Sequence, residues 1–171
     1  TSRPGVFVAG AFQEPKDIPE TVTQASAAAS MSMELLAGSR NTLVTKRTYP
    51  DEHDVTDEGP RIGVFVCHCG TNIASTVDVA RVTNTISNDP EVVLATHSMY
   101  ACSDASLSEV KKAIRDYRLN RIVVASCTPR THAPLFQDTI RDAGLNKYLF
   151  EMANIREQCS WCHMGQKEVA T

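Results

Sequence analysis

The last two thirds of the chain alternate between short apolar runs and helix-like segments, and this alternation is the feature of the sequence that most constrains the fold. The apolar runs predict four strands at Ile62–Cys67, Val92–Thr96, Arg121–Ser126 and Lys147–Ala153. Helical patterns follow them near 78–87, 105–118, 131–143 and 157–163. Apolar strands separated by helices of this size predict an α/β, three-layer Rossmann-like domain around a four-stranded, mainly parallel sheet.

Several residues have the types that begin or end helices. Asp17, Asp78 and Asp104 stand where helices are expected to start, and their carboxylates can accept bonds from first-turn amides. Gly38 and Gly144 stand where helices are expected to stop, because glycine adopts the left-handed conformation without steric cost. These positions therefore predict the ends of the helices.

The chain divides on its sequence into three segments. Residues 1–38 show one strand pattern, Gly5–Gly10, and one helix pattern, Thr21–Ala37. One strand and one helix cannot bury a core of their own, so we expect the rest of that domain in a longer polypeptide, as the start without Met also suggests. Residues 39–60 are acidic and aperiodic, which predicts a linker, and residues 61–171 form the cysteine-rich α/β domain.

All the cysteines follow residue 66, and they fall near the ends of the predicted strands. They are Cys67, Cys69, Cys102, Cys127, Cys159 and Cys162. Parallel strands deliver their carboxyl ends to one edge of a sheet, where ligands bind. Each of the four predicted strands thus sends at least one sulfur to the same edge. This convergence predicts a site with sulfur ligands.

Two kinds of centre take four thiolates, a structural zinc ion and an iron–sulfur cluster. The wide spacing of these cysteines favours a [4Fe–4S] cluster modestly over zinc, which usually binds local cysteine pairs. The expected ligands are Cys69, Cys102, Cys127 and Cys159. Cys67 is the alternative ligand beside Cys69. A zinc-stabilised protein-interaction module, or a thiol–disulfide redox domain using Cys159 and Cys162, are the competing interpretations.

The remaining polar residues carry less information. His68 lies between two cysteines and is interpreted first as a surface residue, with a ligand or a donor to cluster sulfur as the alternatives. Arg156 and Glu157 are expected to make ordinary polar contacts. A net charge of −3 gives no indication that the chain binds nucleic acid. No apolar run is long enough to span a bilayer. No hydrolytic set of catalytic residues is readable, so catalytic residues are not assigned.

At the level of longer motifs the chain resembles a known family. Arg61–Asn72, Tyr100–Asp104, Leu119–Phe136 and Gly144–Trp161 resemble the N-terminal iron–sulfur domain of the heterodisulfide reductase A-subunit family. Pro4–Ala29 resembles the end of the thioredoxin-reductase-like flavin domain of the same family. A flavin-domain end that precedes the iron–sulfur domain implies a fused or tandem protein.

The resemblance implies an electron-transfer module of an oxidoreductase complex, which relays electrons between FAD and iron–sulfur clusters. It places five residues near FAD in the full-length protein: Gly10, Pro15, Lys16, Asp17 and Ile18. It implies other heterodisulfide-reductase-type subunits, hydrogenase or ferredoxin-type electron carriers as partners, allows a homo-oligomer, and suggests a cytoplasmic location. The isolated fragment is expected neither to hold FAD nor to be catalytic.

Overall fold

The computed structural model describes residues 3–171, and these divide into two compact units. One unit extends to Arg47 and the other runs from Thr48 to Thr171. Within the described part of the chain, no helix combines the length and the apolar character that a membrane span demands.

The first unit is built on one long helix, α1 (Ile18–Leu36), between two 3-10 turns at Gly10–Phe12 and Ala37–Ser39. Asp17 caps the helix, since its carboxylate accepts a bond from the amide of Glu20 at 2.8 Å. The predicted cap is therefore confirmed. No residue of α1 is buried.

Two predictions for the first unit are wrong. Gly5–Gly10 forms no strand: Ala9 is extended, but the described residues of this unit include no second strand to bond with. Gly38 does not adopt the left-handed conformation, because the chain tightens into the 3-10 turn Ala37–Ser39 instead of reversing there.

The second unit contains a sheet whose neighbouring strands are all parallel, in the order β2-β1-β3-β4. The strands are β1 (Ile62–Cys67), β2 (Val92–Ser98), β3 (Arg121–Ser126) and β4 (Phe150–Asn154). The predicted α/β class and parallel sheet are confirmed. The last strand begins at Phe150 rather than Lys147, because a turn in which Leu149 bonds to the carbonyl of Asn146 precedes it.

Helices connect the strands, and a last short helix follows β4 and the π-helical turn. They are α2 (Thr71–Ala74), α3 (Val79–Ile86), α4 (Asp104–Asp116), α5 (Pro129–Asp142) and α6 (Lys167–Ala170). Asp78 caps α3 as predicted, whereas Ser103 and not Asp104 caps α4, since its hydroxyl accepts from the amide of Ser106. The last predicted helix is a π-helical turn, Arg156–Ser160. Gly144 is left-handed with φ +85°, as its predicted role as a stop requires.

The core lies between the sheet and the helices that cover it. The largest fully buried apolar side chains are Ile73, Val66, Ile122, Val124, Phe136 and Ile140. Both faces of β1 and β3 are shielded, which explains why these strands are nearly continuous apolar runs. The residues just before β1 also pack on this unit: the amide of His53 bonds to the carbonyl of Gly144 at 2.8 Å.

Candidate functional site

The carboxyl edge of the sheet carries most of the sulfurs. Cys67 is the last residue of β1, and Cys69 lies in the turn that follows. Cys102 lies in the turn between β2 and α4, and Cys127 directly follows β3. The parallel topology therefore delivers these four residues to one edge, as the sequence predicts.

The sulfur of Cys67 is buried and receives two backbone hydrogen bonds. The amides of Cys69 and Ala101 donate to Cys67 Sγ at 3.2 and 3.3 Å. Burial raises the pKa of the Cys67 thiol, the two amide bonds partly oppose that rise, and the nearby Cys69 and Cys102 add to it. Two N–H groups aimed at one sulfur are the kind of donors that stabilise a metal-bound thiolate.

Cys69 has a backbone conformation that is rare for a residue with a side chain. Its φ is +48°, in the left-handed region, and the next residue, Gly70, also has a positive φ of +60°. The carbonyl of Cys69 accepts bonds from the backbone amide and the side-chain amide of Asn72 at 3.1 and 3.2 Å. This turn brings Cys69 Sγ to 3.4 Å from Nη1 of Arg156, which lies after β4.

The thiol of Cys127 is buried beside a hydroxyl and a cation. Burial raises its pKa, Arg156 lowers it and Cys69 raises it further. Ser126 Oγ is also buried and lies close enough to lower the Cys127 pKa, yet it has no partner with full hydrogen-bond geometry in residues 3–171. A buried hydroxyl without a partner beside this thiol fits a site in which a bound ligand supplies an acceptor atom for that hydroxyl.

The cation at this edge is Arg156, the first residue of the π-helical turn. Its Nε and Nη2 donate to Glu157 Oε1 at 3.1 and 2.7 Å, and its Cζ lies 5.1 Å from the ring centroid of Trp161. The pKa of Arg156 is raised, first by the bond to Glu157 and also by the bond to Cys69. Arg156 and Glu157 make the polar contact that the sequence predicts, and Arg156 in addition reaches Cys69, which no local sequence pattern indicates.

The two cysteines in and just after the π-helical turn bond to backbone carbonyls. Cys159 Sγ donates to the carbonyl of Ala170 at 3.0 Å, and Cys162 Sγ donates to the carbonyl of Glu157 at 3.2 Å. All six cysteines are free thiols.

Some of the predicted ligand cysteines interact with one another, and others do not. Besides burial, Cys69 and Cys102 raise the pKa of Cys67, and Cys69 raises the pKa of Cys127, so each of these pairs interacts electrostatically. Cys159 instead donates to the carbonyl of Ala170, and it is not among the groups that shift the pKa of Cys67 or of Cys127. Across residues 3–171, no three His, Cys, Asp or Glu side chains stand together in an arrangement that holds a metal ion as they are.

A histidine pair, which the sequence did not reveal, lies on the same edge. His68 Nε2 and His97 Nδ1 are 3.0 Å apart, because β1 and β2 are neighbours and His68 directly follows Cys67. Burial, and then the proximity of His97, lower the pKa of His68. The two ring nitrogens are within hydrogen-bond distance, and the tautomers decide which ring donates.

The residues expected near FAD lie at the start of the first unit. Gly10 is buried, has a φ of +67°, and donates its amide to Gln24 Oε1 at 3.1 Å. Lys16 pairs with Glu14 at 2.6 Å. Pro15 and Ile18 are exposed beside the capped amino end of α1.

The chain is similar to redox proteins of archaea. No family model matches it. It is 50% identical over 117 residues to a protein of Archaeoglobus profundus named as like the heterodisulfide reductase A-subunit, a match that covers 68% of this chain and 17% of that protein. It is also 50% identical over 117 residues to the second iron-sulfur A-subunit of the CoB–CoM heterodisulfide reductase of Methanopyrus kandleri, covering 68% of this chain and 18% of the relative.

A third relative extends the match slightly. The chain is 48% identical over 121 residues to the A-subunit of the H2:CoB–CoM heterodisulfide, ferredoxin reductase of Methanothermobacter thermautotrophicus, covering 71% of this chain and 18% of that protein. The resemblance to the heterodisulfide reductase A-subunit family is therefore confirmed over about two thirds of the chain. The chain spans only 17% or 18% of the length of these relatives.

Proposed function

We propose that this chain is an electron-transfer module of a heterodisulfide-reductase-like iron–sulfur flavoprotein. Its α/β unit would hold a [4Fe–4S] cluster at the carboxyl edge of the sheet. The observation that carries the proposal is that the parallel sheet brings Cys67, Cys69, Cys102 and Cys127 to that edge, with Cys69 near both Cys67 and Cys127. The relatives bear names of heterodisulfide reductase A-subunits, one of them an iron-sulfur subunit, which supports the same class of function.

The donors at the edge fit such a cluster. Amides point at Cys67 Sγ, the Arg156 guanidinium at Cys69 Sγ, and the orphaned Ser126 hydroxyl lies beside Cys127. Hydrogen bonds to sulfur and burial are the means by which proteins adjust iron–sulfur centres. A cube of four irons is also wider than one ion, so its ligands need not converge on a single point.

The proposed ligands are Cys69, Cys102, Cys127 and Cys159, with Cys67 as the alternative. Cys159 would have to give up its bond to Ala170, whereas Cys67 already lies beside Cys69 and Cys102. When bound, the cluster supplies one-electron transfer. The role of the protein is to hold the sulfurs, aim the donors and exclude water from Cys67 and Cys127, which are both buried.

The first unit would contribute to a flavin site in the full-length protein. Gly10, Pro15, Lys16, Asp17 and Ile18 surround the start of α1, where the positive end of the helix dipole favours anionic groups. The described residues of this unit contain no strand, so other segments must complete the site. Partners would then include other heterodisulfide-reductase-type subunits and ferredoxin- or hydrogenase-type carriers.

Anaerobic reconstitution of the chain with iron and sulfide tests the proposal. We expect about four irons and four sulfides per chain, a brown colour that dithionite bleaches, and an EPR signal of the reduced protein. Cys102→Ser and Cys127→Ser should lose the iron. A colourless protein with stoichiometric zinc would support an interaction module instead, and a Cys159–Cys162 disulfide that exchanges with thiols would support a dithiol enzyme.

The fourth ligand is decided by paired variants. Cys159→Ser should lose the iron if Cys159 binds the cluster, and Cys67→Ser should lose it if Cys67 does. Cys162→Ser is the matched control, since Cys162 is exposed and bonds to the Glu157 carbonyl. It should retain full iron content.

A further inference from the structure

We propose that Arg156 is a positioning residue that raises the reduction potential of the sulfur site, and that Glu157 limits this effect. The inference rests on the proposed function, because it concerns a cluster bound at Cys69 and its neighbours. It begins from a single juxtaposition: one guanidinium group bridges a candidate ligand sulfur and a carboxylate.

Three contacts hold the guanidinium in place. Nη1 donates to Cys69 Sγ at 3.4 Å, Nε and Nη2 donate to Glu157 Oε1 at 3.1 and 2.7 Å, and Cζ lies 5.1 Å from the centre of the Trp161 ring. These contacts use both the edge and the face of the planar group. An arginine held in this way cannot swing into solvent without losing all three.

The local backbone aims the pair at the sulfurs. Arg156 begins the π-helical turn, one residue after β4, and the amide of Trp161 donates to the Arg156 carbonyl at 2.9 Å. Turns of this kind are frequent at functional sites, where they direct a side chain that a regular helix would point elsewhere. Here the turn places Arg156 between Glu157 and Cys69.

Limited exposure makes these charges effective. The side chains of Arg156 and Glu157 are 21% and 26% exposed, so water and salt screen them less than surface charges. Glu157 Oε2 is buried without a hydrogen-bond partner in the described chain. Arg156 donates to the sulfur itself, whereas Glu157 bonds to Arg156, so we expect the net field at Cys69 to be positive.

That field favours electron uptake. Reduction adds one electron from an external reductant to the cluster, forms no bond and needs no proton, so the site gains one negative charge. A nearby cation stabilises the reduced form more than the oxidised form. Loss of the Arg156 charge should therefore lower the reduction potential, and loss of the Glu157 charge should raise it.

The experiment compares charge variants of the whole chain after anaerobic reconstitution with iron and sulfide. EPR-monitored redox titration with dithionite measures the potential. For R156Q we expect the equilibrium constant of reduction to fall about tenfold, or about 59 mV for a one-electron couple. E157Q should shift it in the opposite direction, and R156K, which keeps the charge without the planar fork, should lie between wild type and R156Q.

R115Q is the matched control, because Arg115 is exposed near the end of α4, away from the carboxyl edge. It should keep the wild-type potential. Equal potentials in wild type, R156Q and E157Q, or shifts of the same sign in both variants, would overturn the inference while leaving the proposed function intact. If R156Q takes up no iron, E157Q and R156K decide in the same way. A wild-type chain without iron would overturn both.

Discussion

The two edges of the sheet differ in whether their buried polar groups have hydrogen-bond partners. At the amino edge, Asn120 is fully buried and all its side-chain groups are paired: Oδ1 accepts from the amide of Arg61 at 2.7 Å, and Nδ2 donates to Glu58 and to the Gly59 carbonyl. At the carboxyl edge, Ser126 Oγ and a Glu157 oxygen are buried without full partners among the described residues.

The backbone does not distinguish the edges. Cys69 at the carboxyl edge and Arg118 at the amino edge both adopt the left-handed conformation, which is strained for a residue with a side chain. Paired polar groups stabilise a fold, whereas buried polar groups without partners are found where a site binds a ligand. The comparison teaches that the amino edge secures the sheet and the carboxyl edge is shaped for a ligand at some cost in stability.

The largest expected effect lies at the amino edge. Asn120→Ala removes three hydrogen bonds of a buried side chain, each contributing about 1 kcal/mol, so we expect the free energy of unfolding to fall by about 3 kcal/mol. Urea denaturation of the iron-free chain measures it. Asn88→Ala, at an exposed position, should change the stability by less than about 0.5 kcal/mol. Similar values for both variants would remove the distinction between the edges.

A smaller effect of opposite sign is expected at Cys69. Glycine adopts a φ of +48° without steric cost, so Cys69→Gly should be about 1 to 2 kcal/mol more stable than Cys69→Ala in the iron-free state. The alanine variant is the matched control, since both substitutions remove the sulfur. Equal unfolding midpoints in urea would show that the left-handed turn stores no strain.

Replacing Ser126 tests whether its buried hydroxyl lacks a hydrogen-bond partner. Ser126→Ala removes a buried group that lacks a full partner in the described chain, so we expect it to stabilise the iron-free chain by up to about 1 kcal/mol. Ser160→Ala is the control at the same edge, because the buried Ser160 hydroxyl donates to the carbonyl of Asn72. It should be destabilising. A loss of stability in both variants would mean that Ser126 is paired like Ser160.

The smallest expected effect is a pH dependence at the carboxyl edge. Burial raises the pKa of Cys67 and of Cys127 in the folded chain above the unfolded value of about 8.5. Above that pH the unfolded chain releases thiol protons that the folded chain retains, so the free energy of unfolding falls as the pH rises. Below that pH the contribution of the two thiols to stability is fully present.

Unfolding of the reduced, iron-free chain between about pH 8 and pH 10 measures this slope. Replacing both Cys67 and Cys127 with Ala should flatten the slope. Cys162→Ala, at an exposed position, should leave it unchanged. Identical slopes in all three proteins would contradict the burial of the two thiols as the cause.

Much of this architecture was predictable from local patterns. The bounds of β1 and β3 match the apolar runs, and Asp17, Asp78 and Gly144 act as expected because caps and left-handed stops depend on neighbouring atoms. The strand predicted at Gly5–Gly10 failed for the opposite reason: a strand needs a partner, and a local pattern cannot supply one.

The sequence by itself determined the period of the strands and the placement of sulfur after each of them, because side-chain periodicity and chain order are local properties. Only the tertiary structure decided that Arg156 reaches Cys69, 87 positions away, and that Cys159 turns toward Ala170. Such contacts depend on the dihedral angles of a π-helical turn and on the order of the strands, and no residue spacing encodes either of them.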